Sequence, residues 1–239
     1  MSNLIRRSFS TSSSAKTKVE LFYDIISPFT YIQFELLTRQ RKQWPSMDLR
    51  FTPTTIVSIM SKSENMPPMM VPAKGKYMMK DLQRISQFHK IPFKIPNDFP
   101  QFALELGSMK TQRFLCAVHE QIGDDVSRQE QLIRLFFQKF FTPTGERINL
   151  ADVDTIRSVA TEAGLESDFV QKAIDGMTTD VIKKKLIANS DIVTELGGFG
   201  LPVTVVHTDK EPKPPMIFGS DRLHLIGDML GESKPPVLN

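Results

Sequence analysis

The sequence predicts an α/β chain: a four-stranded mixed sheet interrupted by an all-helical insertion domain. Three observations predict it. Strand-like runs cluster toward both ends of the chain, at 19–26, 47–53, 203–208 and 215–218. The stretch between them, 76–196, shows helical periodicity almost throughout. Helical segments that return the chain between strands suit a mixed sheet with parallel pairing.

The elements follow in order. Val19-Glu20-Leu21-Phe22-Tyr23-Asp24-Ile25-Ile26 reads as the first strand, and it runs into Ser27-Pro28 and an amphipathic helical segment at 29–41. A strand thus delivers a hydroxyl to a helix start, with Ser suited to the cap and Pro to the first turn. Apolar residues at Met47, Leu49 and Phe51 alternate as in a half-buried strand. The segment from Ser61 to Gly75 holds Pro67, Pro68 and Pro72, which argue for a long irregular loop. Leu132, Ile133, Phe136, Phe137 and Phe140 share one helical face, the usual mark of a core stripe. Asn149 is expected to cap a helix carrying Val153, Ile156, Val159 and Ala160, with Gly164 ending it; Ser167 and Thr179 are expected to start two more. Two strands then lead to Gly219-Ser220-Asp221, which opens a terminal helix containing Leu223, Leu225, Ile226, Met229 and Leu230. The order β, α, β, helical insert, β, β, α is that of a thioredoxin-like fold split by an all-α domain. The expected divisions are a leader at 1–18, a thioredoxin-like domain at 19–75 and 197–239, and the helical insertion at 76–196.

At 239 residues the chain suffices for one large domain or a domain with an insertion. Its formal net charge of +3 resides in the leader, where Arg6, Arg7, Lys16 and Lys18 meet no acidic residue, so the remainder is close to neutral. Lys183-Lys184-Lys185 reads as a solvated helix face, which leaves no basic surface for nucleic acid. No run reaches the roughly 18 apolar residues that a membrane span needs. Cys116 is the single cysteine, so the chain has no internal disulfide, no C-x-x-C pair and no thiol cluster for zinc. Its apolar neighbours Phe114, Leu115, Ala117 and Val118 mark it as a buried structural residue. His89, His119, His207 and His224 are scattered without metal spacing, and neither a metal nor a resident cofactor is expected.

The first fourteen residues are rich in Ser and Arg and free of acids. That pattern reads as a mitochondrial transit peptide, the alternative being a tail with no address.

Ser27 reads first as a helix cap. A helix start also attracts anions through its unpaired N–H groups and dipole, and a thiolate is such an anion. A thiol must lose about two pH units to ionise near neutrality, worth roughly 2.7 kcal/mol. A partly buried dipole supplies up to about 2 kcal/mol, and one hydrogen bond to a charged acceptor about 1.5 to 3. A hydroxyl at a helix start is therefore enough, and with no cysteine there the sulfur would arrive with a ligand. Pro202 is the second element: a cis Leu201–Pro202 bond would turn the Leu201 backbone toward an extended ligand, while a trans proline would merely begin a strand.

These residues carry a family resemblance. Residues 19–31, Asn65-Met66-Pro67-Pro68, Lys74-Gly75-Lys76-Tyr77-Met78, Phe199 to Val205 and Phe218-Gly219-Ser220-Asp221-Arg222 resemble the kappa-class glutathione S-transferases, in order and across nearly everything after residue 18. The resemblance implies a homodimer that uses glutathione as co-substrate and conjugates it to a small electrophile. Ser27 would be catalytic, holding the glutathione sulfur as thiolate. Pro28 and Phe29 would line the same helix start, and Asn65 and Lys74 would reach the ligand. Leu201 would pair with the glutathione backbone before cis-Pro202, while Ser220 and Asp221 would take the γ-glutamyl end or cap the last helix.

Other members often carry Tyr and Trp where this chain has Phe29 and Tyr31, which removes a hydroxyl beside the sulfur. Met66, Met69, Met70, Met78 and Met79 could form an adaptable apolar wall, or simply pack. The scaffold also resembles the glutathione-dependent 2-hydroxychromene-2-carboxylate isomerases, and a glutathione- or polypeptide-binding module without turnover is a further reading.

Overall fold

The first strand, β1 (Thr17–Tyr23), lies inside the sheet in the computed structural model, which describes residues 15–96, 99, 107–141, 147–208 and 212–232. It pairs in parallel with β2 (Met47–Pro53) and antiparallel with β3 (Val203–Val206), and β3 pairs antiparallel with β4 (Met216–Phe218). The sheet order is β2-β1-β3-β4. A parallel β1–β2 pair requires a crossover, and α1 (Pro28–Gln40) supplies it. Apolar side chains on both faces of β1 follow from its central place.

The strand begins at Thr17, two residues inside the expected leader, and ends at Tyr23, so Asp24-Ile25-Ile26 form a turn rather than strand. Residues 1–14 of the expected leader lie outside the described residues.

The segment expected to be an irregular loop, 61–75, is α-helical at both ends, and its irregular part is confined to 63–71. Thr55 caps α2 (Ile56–Lys62), its Oγ1 accepting from Ser58 N at 3.1 Å. A 3-10 turn at Pro68–Met70 then leads into α3 (Pro72–Phe88). Pro72 stands in the first turn, where its missing N–H costs no helix bond; the prolines punctuate this segment without excluding helix.

The insertion continues as α4 (Met109–Ile122), α5 (Val126–Phe140), α6 (Val153–Glu162), α7 (Ser167–Gly176) and α8 (Asp180–Glu195), and the chain closes on α9 (Leu223–Leu230). Thr179 caps α8 as expected, and Gly164 follows α6 with φ +81°. Asn149 does not cap α6. Its Oδ1 takes Ala151 N at 2.9 Å in a local turn, and Asp152 Oδ2 takes Thr155 N at 2.9 Å as the cap. Ser167 is the first residue of α7, behind Glu166, which makes no side-chain cap.

One apolar cluster joins sheet and insertion. Tyr31 of α1 stacks on Phe137 of α5 at 5.0 Å, and Phe34 meets both Phe51 of β2 and Phe137. Arg134 fastens the rim of this contact: it donates to Glu35, Thr38 and Glu130 at 2.9 Å each, with its guanidinium over the Phe34 ring. On the opposite face Phe22, Val203 and Val205 pack on Ile59 of α2 and Val193 of α8. Among the described residues no helix is long and apolar enough to cross a membrane.

Candidate active site

The register places most of the expected site at one end of the sheet. Phe22 pairs with Val203, and Val203 with Phe218, so the exit of β1, the entry to β3 and the exit of β4 lie side by side. Ser27 follows the first, Leu201 and Pro202 precede the second, and Ser220 and Asp221 follow the third. Gly219 N donates to the Pro202 carbonyl at 3.0 Å, which fastens the last two together.

Ser27 caps α1 in extended conformation and is 3 % exposed. Its Oγ accepts from Thr30 N at 3.3 Å, and its own N–H donates to the Asp24 carbonyl at 3.0 Å. Its hydroxyl proton meets no acceptor among the described residues, so Oγ can donate it to an incoming anion. Pro28 is buried in the first turn of α1, and Phe29 is half-buried against the core. Tyr31, whose N–H donates to the Ser27 carbonyl at 3.2 Å, is wholly buried with its hydroxyl on the Pro92 carbonyl.

The Leu201–Pro202 peptide is cis. Leu201 tucks its side chain into the α2/α8 cluster, and a side chain at Gly200 would come into ordinary contact with Phe218, Met60 and Asn65. Asn65 Nδ2 donates to the Phe199 carbonyl at 2.7 Å, and its Oδ1 accepts from Met66 N at 2.9 Å. Asn65 thus holds the approach to Leu201, with one N–H left to offer. Lys74 lies exposed on the first turn of α3, outside any loop, and makes no ion pair among the described residues. The contacts do not bring it against the others.

Ser220 is 8 % exposed, while Asp221 lies open to solvent. Neither caps α9, whose cap position is Arg222 without a side-chain bond. Asp221 Oδ1 instead accepts from Arg222 at 2.6 Å, and Arg222 also reaches the Phe218 carbonyl at 3.0 Å. Gly219, with φ +92°, makes the turn that a side chain would obstruct at Asp221.

Of the five methionines expected to form an apolar wall or pack, Met78 is buried and Met69 packs against the core, whereas Met66, Met70 and Met79 are exposed. Cys116 is buried, and burial, with Glu120 nearby, pushes its thiol up to about 11, which removes it as a nucleophile. Among the described residues no cluster of His, Cys, Asp and Glu could hold a metal.

Asp24 and Gln112 also support the site and carry no signal of periodicity. Asp24 is fully buried, and its carboxylate accepts from Ser108 Oγ at 2.6 Å, Ile26 N at 3.2 Å and Ile56 N at 3.0 Å. Burial lifts it from an ordinary 3.8 to about 6 against the pull of those bonds. Gln112 donates to the carbonyls of Tyr23 and Thr54 and accepts from Ile25 N. An acid inside the apolar run Phe22-Tyr23-Asp24-Ile25-Ile26 was the one available clue.

A DSBA-like thioredoxin domain matches residues 18–231. Glutathione S-transferase kappa 1 of Homo sapiens is 33% identical over 225 residues, covering 92% of this chain and 96% of that protein. The chain belongs to the kappa glutathione S-transferases. The kappa 1 enzyme of Rattus norvegicus matches equally, at 33% over 92% of this chain and 96% of its own. Among solved structures, a 2-hydroxychromene-2-carboxylate isomerase superposes with a TM-score of 0.70 at 17% identity, over 90% of this chain and 94% of its own, and so shares the fold. Membership of the kappa family fits the geometry above, in which the Ser27 hydroxyl caps the start of α1.

Proposed function

We propose that this kappa-family protein transfers glutathione to small apolar electrophiles, with Ser27 holding the glutathione sulfur as thiolate. The supporting observation is the Ser27 hydroxyl: capped on one side by Thr30 N, it keeps its proton for the sulfur at the start of α1. The helix dipole and this bond act on the charged form of the ligand, so they favour ionisation rather than binding of the neutral thiol. Ser27 stabilises the nucleophile and does not itself attack.

Around it, Pro28 and Phe29 line the helix start, and the Leu201 backbone offers strand-like bonds beside the cis proline. Asn65 offers its second amide N–H to the ligand, and Lys74, exposed on the first turn of α3 and without an ion pair among the described residues, offers it a cation. Ser220 donates to the γ-glutamyl carboxylate and Asp221 accepts from its ammonium. The exposed Met66, Met70 and Tyr77, in the segment before and within α3, suit an apolar second substrate and contribute to a homodimer surface. The leader at 1–14 directs the protein to mitochondria, which fusion of residues 1–18 to a reporter tests by import.

Ser27→Ala tests the central assignment. The complex with glutathione should lose its ultraviolet thiolate absorbance and roughly 10- to 100-fold in kcat, the worth of one hydrogen bond to a charged group, while much of the affinity remains. An unchanged thiolate signal removes Ser27 from the role. Conjugation of an aryl halide is the companion assay; no turnover there but turnover of a chromene carboxylate would reassign the reaction to isomerisation.

A further inference from the structure

The turn that carries Ser27 is built on one buried carboxylate. Asp24 accepts the N–H of Ile26 at 3.2 Å through its side chain, and the N–H of Ser27 at 3.0 Å through its carbonyl, so two successive N–H groups are oriented by one residue. The other carboxylate oxygen takes the N–H of Ile56, the first residue of α2, and Ser108 Oγ closes the set from the start of α4. No cation offsets the charge among the described residues: around it stand those N–H groups, the Ser108 hydroxyl and the phenol of Tyr23. Burying a carboxylate without a counter-ion is costly, and the fold does not need it to close the sheet. Gln112, one turn along α4, already ties the ends of β1 and β2 with a neutral amide. The Asp24 bonds go instead to the residue before Ser27 and to α2. From the far end of α2 the chain reaches Asn65, which holds Phe199 two residues before Leu201.

We propose that Asp24 is a positioning residue for the sulfur site: its carboxylate sets the Ser27 turn and the start of α2 relative to each other, and so fixes the geometry in which Ser27 donates to the glutathione thiolate. This rests on the reading of Ser27 given above. The sign of its effect separates it from direct electrostatics. A negative charge near the sulfur opposes ionisation, so removing the charge alone would lower the thiol pKa; losing the geometry raises it.

The experiment is a pH titration of the ultraviolet thiolate absorbance of bound glutathione in the full chain, Ser27→Ala, Asp24→Asn and Ser108→Ala. Asn is nearly isosteric but replaces one acceptor oxygen by a donor, so at least one of the three bonds is lost. Asp24→Asn should move the midpoint up by about one pH unit, as expected for weakening one charge-assisted hydrogen bond. Ser108→Ala, which keeps the charge and loosens its hold, should move it the same way by less. A midpoint that stays or falls in folded Asp24→Asn overturns the proposal while Ser27 keeps its role. Should Asp24→Asn fail to fold, an unmoved midpoint in Ser108→Ala overturns it. A wild-type complex without thiolate absorbance overturns the Ser27 reading itself, and Asp24 with it.

Discussion

Asn65 Nδ2 donates to the Phe199 carbonyl at 2.7 Å and thereby bridges two segments 134 residues apart in sequence. Ser63 Oγ points to the same carbonyl. The bridge spans the connection after α2 and the approach to Leu201–Pro202, so the backbone edge proposed for glutathione is held from outside the sheet. An exposed hydrogen bond of this kind contributes about 1 kcal/mol. Asn65→Ala should raise KM for glutathione roughly fivefold and leave the pKa of the bound thiol alone, because Ser27 is tied to different partners. Steady-state kinetics and the thiolate titration read the two effects separately. A shifted thiol pKa with unchanged KM would place Asn65 at the sulfur instead.

How far this site was legible in the sequence depended on the kind of signal. The four strands and the helical insertion rest on apolar periodicity, which survives in Met47, Leu49 and Phe51 and in the Leu132 to Phe140 stripe because burial dictates it. Ser27-Pro28 was legible because caps have local chemistry. The helix from Pro72 was obscured because a proline breaks a helix interior yet suits its first turn, a distinction that depends on a residue or two of phase. The partners of Asp24 at Ser108 and of Asn65 at Phe199 lie 84 and 134 residues away, and no local pattern encodes such a pairing. Asp221 does not cap α9, one of the two roles its place in the sequence suggests; it pairs with its neighbour Arg222.

That Asp221–Arg222 pair is exposed, with side chains 67% and 47% accessible, and exposed pairs contribute little. Exchange of Arg222 for a ligand ammonium therefore costs little. Asp221→Ala should weaken glutathione binding roughly tenfold by calorimetry, as fits the loss of a charge-assisted bond. Cysteinylglycine lacks the γ-glutamyl group and should bind the variant and the wild type equally. A penalty that persists with cysteinylglycine would locate Asp221 away from that end.

Cys116 gives a prediction of inertness. With its thiol near 11, roughly one molecule in ten thousand carries the thiolate at neutral pH, and the side chain is 1 % exposed. Iodoacetamide should leave native activity intact and label the chain only after unfolding. Cys116→Ala should keep the thiolate signal of bound glutathione. Inactivation of the native enzyme by alkylation would show that the sulfur chemistry involves the protein's own thiol.

Asp24 and His119 lie on either side of Tyr23, one next to it in sequence and the other 3.3 Å from its hydroxyl, and burial moves them in opposite directions. The Asp24 carboxyl rises from 3.8 to about 6, so the folded state holds its proton more tightly than the unfolded one. Its contribution is fully present below pH 4 and is lost as pH rises through 6, on the order of 3 kcal/mol. The His119 imidazole falls from 6.5 to about 4, so the unfolded state binds that proton more tightly. Its contribution is fully present above pH 6.5 and is lost as pH falls through 4, again on the order of 3 kcal/mol. Between pH 4 and 6.5 the two slopes oppose each other, and their sum in the wild type is small. Urea unfolding across this window should unmask each: relative to wild type, Asp24→Asn should gain stability with rising pH, and His119→Gln should lose it. Glu20 and Asp152, which burial and hydrogen bonding also perturb, are common to all three proteins and cancel in the differences. An Asp24→Asn curve parallel to the wild type would mean that the carboxyl titrates near its ordinary value, and that the buried acid behind Ser27 is ionised throughout.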